Sequence, residues 1–217
     1  MGKPVAVLDV DGTLVDNNYQ HAIAWHQAIR RAGIVVPVWK CHRTVGVGGD
    51  KFVAQVCGDE VEAEHGDAIR EHESEIFGPM RDDAAPLAGA REFVATLKER
   101  GNAVVLASSG NADDIGRYVE LLEIGESIDA MVTSDDVEAS KPEPDLLEAA
   151  LERIGRRDAV MVGDTFWDVA AAERAGIPCI ALLSGGFGGE ELRSSGAVEV
   201  YESVAELTAK LADSALA

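Results

Sequence analysis

The sequence predicts an α/β fold built on a parallel sheet, and three observations carry that prediction. From residue 102 onward, short apolar runs alternate with amphipathic helical stretches at the spacing of strand–helix units, which gives a parallel sheet with helices on both faces. The run Val5-Ala6-Val7-Leu8 is apolar at every position, as a strand covered on both faces must be. Between residues 17 and 82 there is no strand pattern, so that block is a helical insertion after the first strand.

The elements follow in order. Residues 17–33 carry Ala22, Ile23, Trp25, Ala28 and Ile29 among polar neighbours, a helix closed by Gly33. Stretches 50–57 and 60–77 read as helices, the second highly charged with Val61, Ile69 and Ile76 as its apolar support. The break Asp82-Asp83-Ala84-Ala85-Pro86 precedes a helix over about 87–100 that stops at Gly101. Strand 102–108, helix 111–123, strand 129–133, helix 143–154, strand 158–163, helix 167–175, strand 178–182, a strand near 197–200 and helix 203–213 complete the alternation. The predicted organisation is therefore a core of residues 1–16 and 83–217 and an inserted helical domain of residues 17–82.

Composition narrows the function. A hydrophobic fraction of 47% with 27% charged residues excludes disordered and fibrous classes. A net charge of -20 disfavours nucleic acid and acidic membranes as partners of the general surface, so an anionic ligand needs a locally positive site. Most of this acidity reads as solvated helix faces. Cys41, Cys57 and Cys179 have neither metal-ligand spacing nor an even count, which points to a cytoplasmic protein. No window approaches a membrane span, and Asp9 and Asp11 interrupt the first apolar run too early for a signal peptide. Met1-Gly2 opens like an acylation site, but Ala6 stands where Ser or Thr is required, so no lipid anchor is read.

The chemistry begins at Asp9-Val10-Asp11-Gly12-Thr13, directly after the first strand. Ligands of open α/β sheets bind at the carboxyl ends of the strands. Two acids there, followed by Gly and a hydroxyl, point to a metal-dependent site. The competing reading is an Asp-Gly hairpin turn, which lacks an alternating partner strand after Thr13. Three further blocks sit at equivalent places: Val104-Val105-Leu106-Ala107-Ser108-Ser109, then Lys141-Pro142-Glu143-Pro144-Asp145, then Val160-Met161-Val162-Gly163-Asp164-Thr165-Phe166-Trp167-Asp168. With Asp9 to Asp16, these four blocks in this order resemble the haloacid dehalogenase-like hydrolase superfamily over residues 3 to about 183.

That resemblance implies a Rossmann-like three-layer core with a small α-helical cap over the site, hinged near residues 14–17 and 82–87. It also implies roles. Asp9 is the nucleophile that forms an aspartyl-phosphate, and Asp11 is the general acid and base. The dehalogenase and phosphonate-cleaving branches lack an acid at the second position, so Asp11 argues for phosphoryl transfer. The implied cofactor is Mg²⁺, suited to hard oxygen ligands, held by the Asp9 and Asp164 side chains and the Asp11 carbonyl. Asp168 pairs with Lys141, which neutralises Asp9 and the phosphoryl oxygens. Thr13, Ser108 and the amides of Ser109 and Gly110 receive the phosphate. Read without the resemblance, Asp164 and Asp168 could be helix-capping acids, Ser108 a cap and Lys141 a surface residue in a turn.

Specificity falls to His42-Arg43-Thr44-Val45-Gly46-Val47-Gly48-Gly49-Asp50-Lys51, similar to the specificity loop of phosphoglycolate phosphatase-like and β-phosphoglucomutase-like members. Arg43, Gly49 and Lys51 are its candidate substrate contacts; a plain flexible connector is the alternative. His21, His26, His65 and His72 read as packed or solvated helix residues, and Ser184 to Gly189 as a glycine-rich rim. The expected function is a Mg²⁺-dependent phosphatase of a small-molecule phosphate ester, phosphoglycolate phosphatase-like. A β-phosphoglucomutase-like phosphotransferase is the alternative. Further away stand a phosphonoacetaldehyde hydrolase, for which Lys51 lies near the Schiff-base position, and a non-enzymatic binding protein, which should have lost some of Asp9, Asp11, Lys141 and Asp164.

Overall fold

In the computed structural model, which describes residues 2–217, the chain runs through β1 (Val5–Leu8), β2 (Val15–Asp16), α1 (Asn18–Arg31), α2 (Val38–Thr44), α3 (Gly49–Cys57), α4 (Asp59–Met80), β3 (Ala85–Pro86), α5 (Ala90–Glu99), β4 (Val104–Ala107), α6 (Ala112–Leu122), β5 (Ala130–Val132), α7 (Asp145–Ile154), β6 (Ala159–Gly163), α8 (Phe166–Ala175), β7 (Cys179–Leu182), α9 (Gly189–Ser194), β8 (Glu199–Tyr201) and α10 (Val204–Lys210). The acylation reading at Met1-Gly2 begins outside the described residues. Two compact units result, Met1–Asp16 with Ala85–Ala217, and Asn17–Ala84. The sequence puts the return to the first unit at residue 83; here a 3₁₀ turn over Arg81–Asp83 prolongs the helical segment first. Among the described residues no helix is long and apolar enough to cross a membrane.

The first unit is a six-stranded sheet in the order β5-β4-β1-β6-β7-β8. Every neighbouring pair in it is parallel. All residues of β1, β4, β6 and β7 are buried, which is why these strands read as unbroken apolar runs. Successive side chains point to opposite faces. Val5, Val7, Val105, Ala107, Met161 and Ala181 share one face with α7 and α8. The opposite face is covered by α5 and α10, which pack on each other and reach β4 and β8 respectively. Three layers follow, and each fully buried large apolar side chain contributes about 1.5–3 kcal/mol to holding them together.

A feature missed in the sequence is the antiparallel ribbon of β2 and β3, with Val15 opposite Pro86 and Asp16 opposite Ala85. Two-residue strands are too short to show alternation. Asp11-Gly12 does form a turn: Gly12 takes φ 73°, and its amide donates to the Val15 carbonyl at 2.7 Å. The strand that follows pairs with β3, so the turn does not fold back as a hairpin on β1. Helix α9, which follows the glycine-rich run, is likewise not among the elements read from the sequence.

The second unit is a bundle in which Trp25, Ile29, Cys41, Phe52, Val53 and Ile69 form a core, with the rings of Trp25 and Phe52 stacked at 4.2 Å. Here a correction is needed. His42 and Arg43 do not lie in a loop, because Pro37 opens the short helix α2, which buries Cys41 and Thr44 and carries both residues in its last turn. The glycine-rich connection begins only at Val45. Gly49 and Lys51 belong to the first turn of α3.

Candidate active site

The sheet register decides which side chains can meet. Leu8 pairs with Leu106 on one side and Val162 on the other, so the residues just past β1, β4 and β6 emerge at one edge. The Asp9 amide continues the ladder to the Val162 carbonyl at 2.9 Å, which fixes the backbone from which its carboxylate projects. From Asp9 the chain turns tightly, with the Thr13, Leu14 and Val15 amides all donating to the Val10 carbonyl. That turn brings Thr13 back to the strand end. Its hydroxyl donates to Asp164 Oδ1 at 2.9 Å and lies 3.4 Å from Asp9 Oδ2.

Lys141 enters from the loop before α7 and is fully buried. Its ammonium is 2.5 Å from Asp9 Oδ1 and 2.7 Å from Asp168 Oδ1. Asp168 is fixed in turn by a reciprocal cap at the start of α8: its Oδ2 accepts from the Thr165 amide at 3.0 Å and the Thr165 hydroxyl at 2.7 Å, and its own amide donates to Thr165 Oγ1. Asp168 thus caps α8 and pairs with Lys141 at the same time. Gly163 makes room for it, since a Cβ there would lie 2.4 Å from Asp168 Cγ.

Carboxylate oxygens of Asp9, Asp164 and Asp168 approach within 4.8 Å of one another. Three buried carboxylates against one ammonium leave an excess of negative charge that burial makes costly. The effect shows on Asp9. Burial pushes its carboxyl up to about 7, Lys141 opposes the rise, and the charges of Asp168 and Asp11 add to it. A hard divalent cation fits this donor set. All three carboxylates already have contacts within the site, Asp168 with Lys141 and Thr165, Asp9 with Lys141 and Thr13, and Asp164 with Thr13. On the far side Gly185 forms a cradle, because a Cβ at that position would fall 1.9 Å from Asp164 Oδ2. Neighbouring Ser184 donates to the Gly12 carbonyl at 2.6 Å and ties this turn to the Asp9 loop.

Ser108, fully buried past β4, donates to Asp11 Oδ2 at 3.2 Å and accepts from the Gly110 amide at 2.9 Å. The hydroxyl and amide expected to meet phosphate are therefore engaged with each other and with Asp11. Ser109 lies between them in the same turn. Arg43, Gly49 and Lys51 belong to the second unit, Arg43 in the last turn of α2 and Gly49 and Lys51 in the first turn of α3. Sequence reasoning missed Thr165, although Thr-x-x-Asp is a readable capping signature. It gave Ser184 and Gly185 only a rim role, since a Gly-rich run does not reveal which glycine faces a carboxylate.

The family model described as haloacid dehalogenase-like hydrolase matches residues 4–176. A phosphoglycolate phosphatase of Pseudomonas fluorescens is 27% identical over 189 residues, covering 83% of this chain and 70% of that protein. The validoxylamine A 7'-phosphate phosphatase of Streptomyces hygroscopicus is 26% identical, covering 83% and 85%. The crystal structure of a hydrolase from Pseudomonas syringae superposes with a TM-score of 0.91 at 31% identity, covering 97% of this chain and 99% of that one.

Proposed function

Since the chain belongs to the haloacid dehalogenase-like hydrolase family and is an enzyme of the phosphatase kind, we propose that it hydrolyses a small phosphorylated metabolite, with Mg²⁺, through an aspartyl-phosphate on Asp9. The observation that carries the reading is the buried excess of carboxylate around a single ammonium, with Lys141 between Asp9 and Asp168. Such an arrangement repels a phosphate ester on its own, and it suits one that arrives with a divalent cation. When bound, Mg²⁺ supplies charge neutralisation at the phosphoryl oxygens and at the Asp9 and Asp164 carboxylates.

The residues then divide the work. Lys141 holds Asp9 Oδ1, leaving Oδ2 as the attacking oxygen. Asp9 attacks phosphorus and forms an acyl phosphate as the ester P–O bond breaks, and protonated Asp11 delivers its proton to the departing oxygen. Asp11, now a carboxylate accepting from Ser108, takes a proton from water. That water attacks the acyl phosphate, releases inorganic phosphate and restores Asp9. Thr13 keeps Asp164 and Asp9 in register, and Asp168 with Thr165 keeps Lys141 in place. We read residues 17–84 as the cap domain, with Arg43, Gly49 and Lys51 selecting the non-reacting part of a phosphoglycolate-like substrate. The free thiols of Cys41, Cys57 and Cys179 support a reducing, cytoplasmic setting.

Hydrolysis of a panel of phosphorylated metabolites in ¹⁸O-water, with and without excess chelator, tests the proposal. The expected result is Mg²⁺-dependent turnover, one labelled oxygen per phosphate released, and loss of turnover in Asp9→Asn, whose amide matches the carboxylate in shape but is a poor nucleophile. Full activity in chelator removes the metal role. Transfer of the phosphoryl group to a sugar, without label in free phosphate, replaces the hydrolase with a phosphotransferase.

A further inference from the structure

Glycine is the poorest helix former after proline, yet Gly66 sits well inside α4 and is buried there. The space above it explains why. A Cβ on Gly66 would lie 2.5 Å from Glu62 Oε1 and 2.8 Å from Arg70 Nη2. Glu62 and Arg70 stand about one turn to either side, and their side chains meet across the bare backbone at Gly66. Arg70 Nη2 donates to Glu62 Oε1 at 2.8 Å and Nη1 to Oε2 at 3.1 Å, a two-pronged pairing that fixes the plane of the guanidinium. Asp67, fully exposed, adds a contact to Nη2 at 2.8 Å.

So oriented, the guanidinium reaches another helix. Nη1 also donates to the Gly49 carbonyl at 3.2 Å, at the first residue of α3. Gly49 also abuts the Trp25 ring, 3.6 Å from where its Cβ would stand, with Arg70 Cδ 3.9 Å from the same point. The start of α3 is thereby held by contact with the Trp25 ring and by a charge-assisted hydrogen bond. Val45 to Gly48 join it to α2 in a turn where the Val47 amide donates to the Thr44 carbonyl. Gly46, at φ 98°, provides the left-handed backbone that this turn needs.

We infer that Arg70, held in a fork by Glu62 across Gly66, is a positioning residue for substrate selection that fixes the segment Gly46–Lys51. The inference rests on the reading of Arg43, Gly49 and Lys51 as the residues that meet the non-reacting part of the substrate. Arg70 itself touches Glu62, Asp67 and Gly49, and its effect passes through the Gly49 backbone. Lysine could not replace it, because one ammonium cannot grip a carboxylate with two prongs and a carbonyl in the same plane.

Two variants leave Arg70 in place. Gly66→Ala removes no polar group and improves helix propensity, but its methyl displaces the flexible ends of the pair. Glu62→Gln keeps the shape and removes the charge. Amide hydrogen exchange is measured on both and on the unaltered protein. Steady-state kinetics accompany it on 2-phosphoglycolate, glucose 6-phosphate and p-nitrophenyl phosphate. For one partly exposed charge-assisted hydrogen bond, exchange at residues 45–52 should quicken roughly three- to tenfold while α1 and α4 keep their protection. The better of the two metabolite esters should lose roughly three- to tenfold in kcat/KM through a raised KM, with p-nitrophenyl phosphate changed less than about twofold. Unchanged exchange in both variants overturns the tie, whatever the activity. Equal loss of protection across the whole second unit overturns it too, since Arg70 would then only hold the bundle. Faster exchange at 45–52 with equal kinetic changes on all esters, or none, overturns the role in selection. Should the unaltered protein turn over none of the three nor any other phosphate ester, the phosphatase reading fails and selection with it, while exchange still decides the tie.

Discussion

Replacing Gly185 with alanine isolates one geometric claim, that the turn after β7 presses against Asp164. The backbone does not forbid the change, for Gly185 lies outside the left-handed region that ten other glycines occupy among the described residues. Only the carboxylate does. The new Cβ would start 1.9 Å from Asp164 Oδ2, and reaching ordinary contact at 3.4 Å requires a shift of about 1.5 Å. Neither side yields easily, since Asp164 is fully buried and holds Thr13 at 2.9 Å, while Ser184 anchors the turn to Gly12 at 2.6 Å. Overpacking of this kind costs about 1–3 kcal/mol of stability, which leaves the protein folded. A misplacement of about 1 Å in a catalytic constellation costs on the order of 100-fold in rate. We therefore expect kcat/KM for the best ester to fall about 100-fold in Gly185→Ala, with a higher Mg²⁺ requirement and a melting temperature lowered by a few degrees. Gly188→Ala is the control, because its Cβ would meet nothing closer than Glu191 at 4.0 Å. Wild-type kinetics and an unchanged Mg²⁺ requirement in Gly185→Ala would refute the argument that this turn positions Asp164.

Two further outcomes follow from the charges. Lys141→Met leaves Asp9 and Asp168 buried without their shared cation, a loss worth about 3–5 kcal/mol in urea denaturation, and turnover should vanish with it; a variant as stable as the parent would contradict the pairing. The metal-free Asp9 carboxyl, raised by burial from 3.8 to about 7, holds a proton in the folded state that the unfolded chain releases, so its own contribution to stability is fully present below about pH 4 and is lost as pH rises through about 7. Mg²⁺ must displace that proton, so the Mg²⁺-induced gain in melting temperature should grow between pH 5 and 7 and level off above; a gain independent of pH would show that Asp9 does not hold the ion.

The sequence and the structure meet most closely where backbone order alone fixes side-chain position. Asp9, Ser108 and Asp164 follow β1, β4 and β6, strands whose apolar runs are readable and whose parallel order brings their ends to one edge. The Lys141–Asp168 pair is drawn from the family resemblance and found at 2.7 Å. Contacts formed in turns are harder to read. Gly185 belongs to a run of glycines, and only three dimensions tell that its missing side chain is Asp164's space, whereas Gly188 has open room. Helix α2 escapes detection because seven residues opening after a proline bury only Cys41 and Thr44 and so show no period. Arg70 was invisible for a related reason: in a helix dense with charge, nothing in the sequence distinguishes the pair that crosses a glycine from those facing water.

Gly66, Gly163 and Gly185 have one use in common, which is to let a charged side chain occupy the volume where a Cβ would stand. At Gly163 and Gly185 the guests are Asp168 and Asp164, both fully buried. Burying them without a counter-charge would cost several kcal/mol each. The sheet carries that cost, because β1, β4, β6 and β7 are apolar throughout and hold the strand ends whether or not the charges are balanced. Stability and reactivity are thereby separated along each strand: the apolar residues supply the first, and the one or two positions past the strand end are free to carry an electrostatic imbalance. On the proposed reading a cation arriving with substrate would relieve that imbalance, so the excess charge that makes the site sensitive to pH would also give it affinity for the ion.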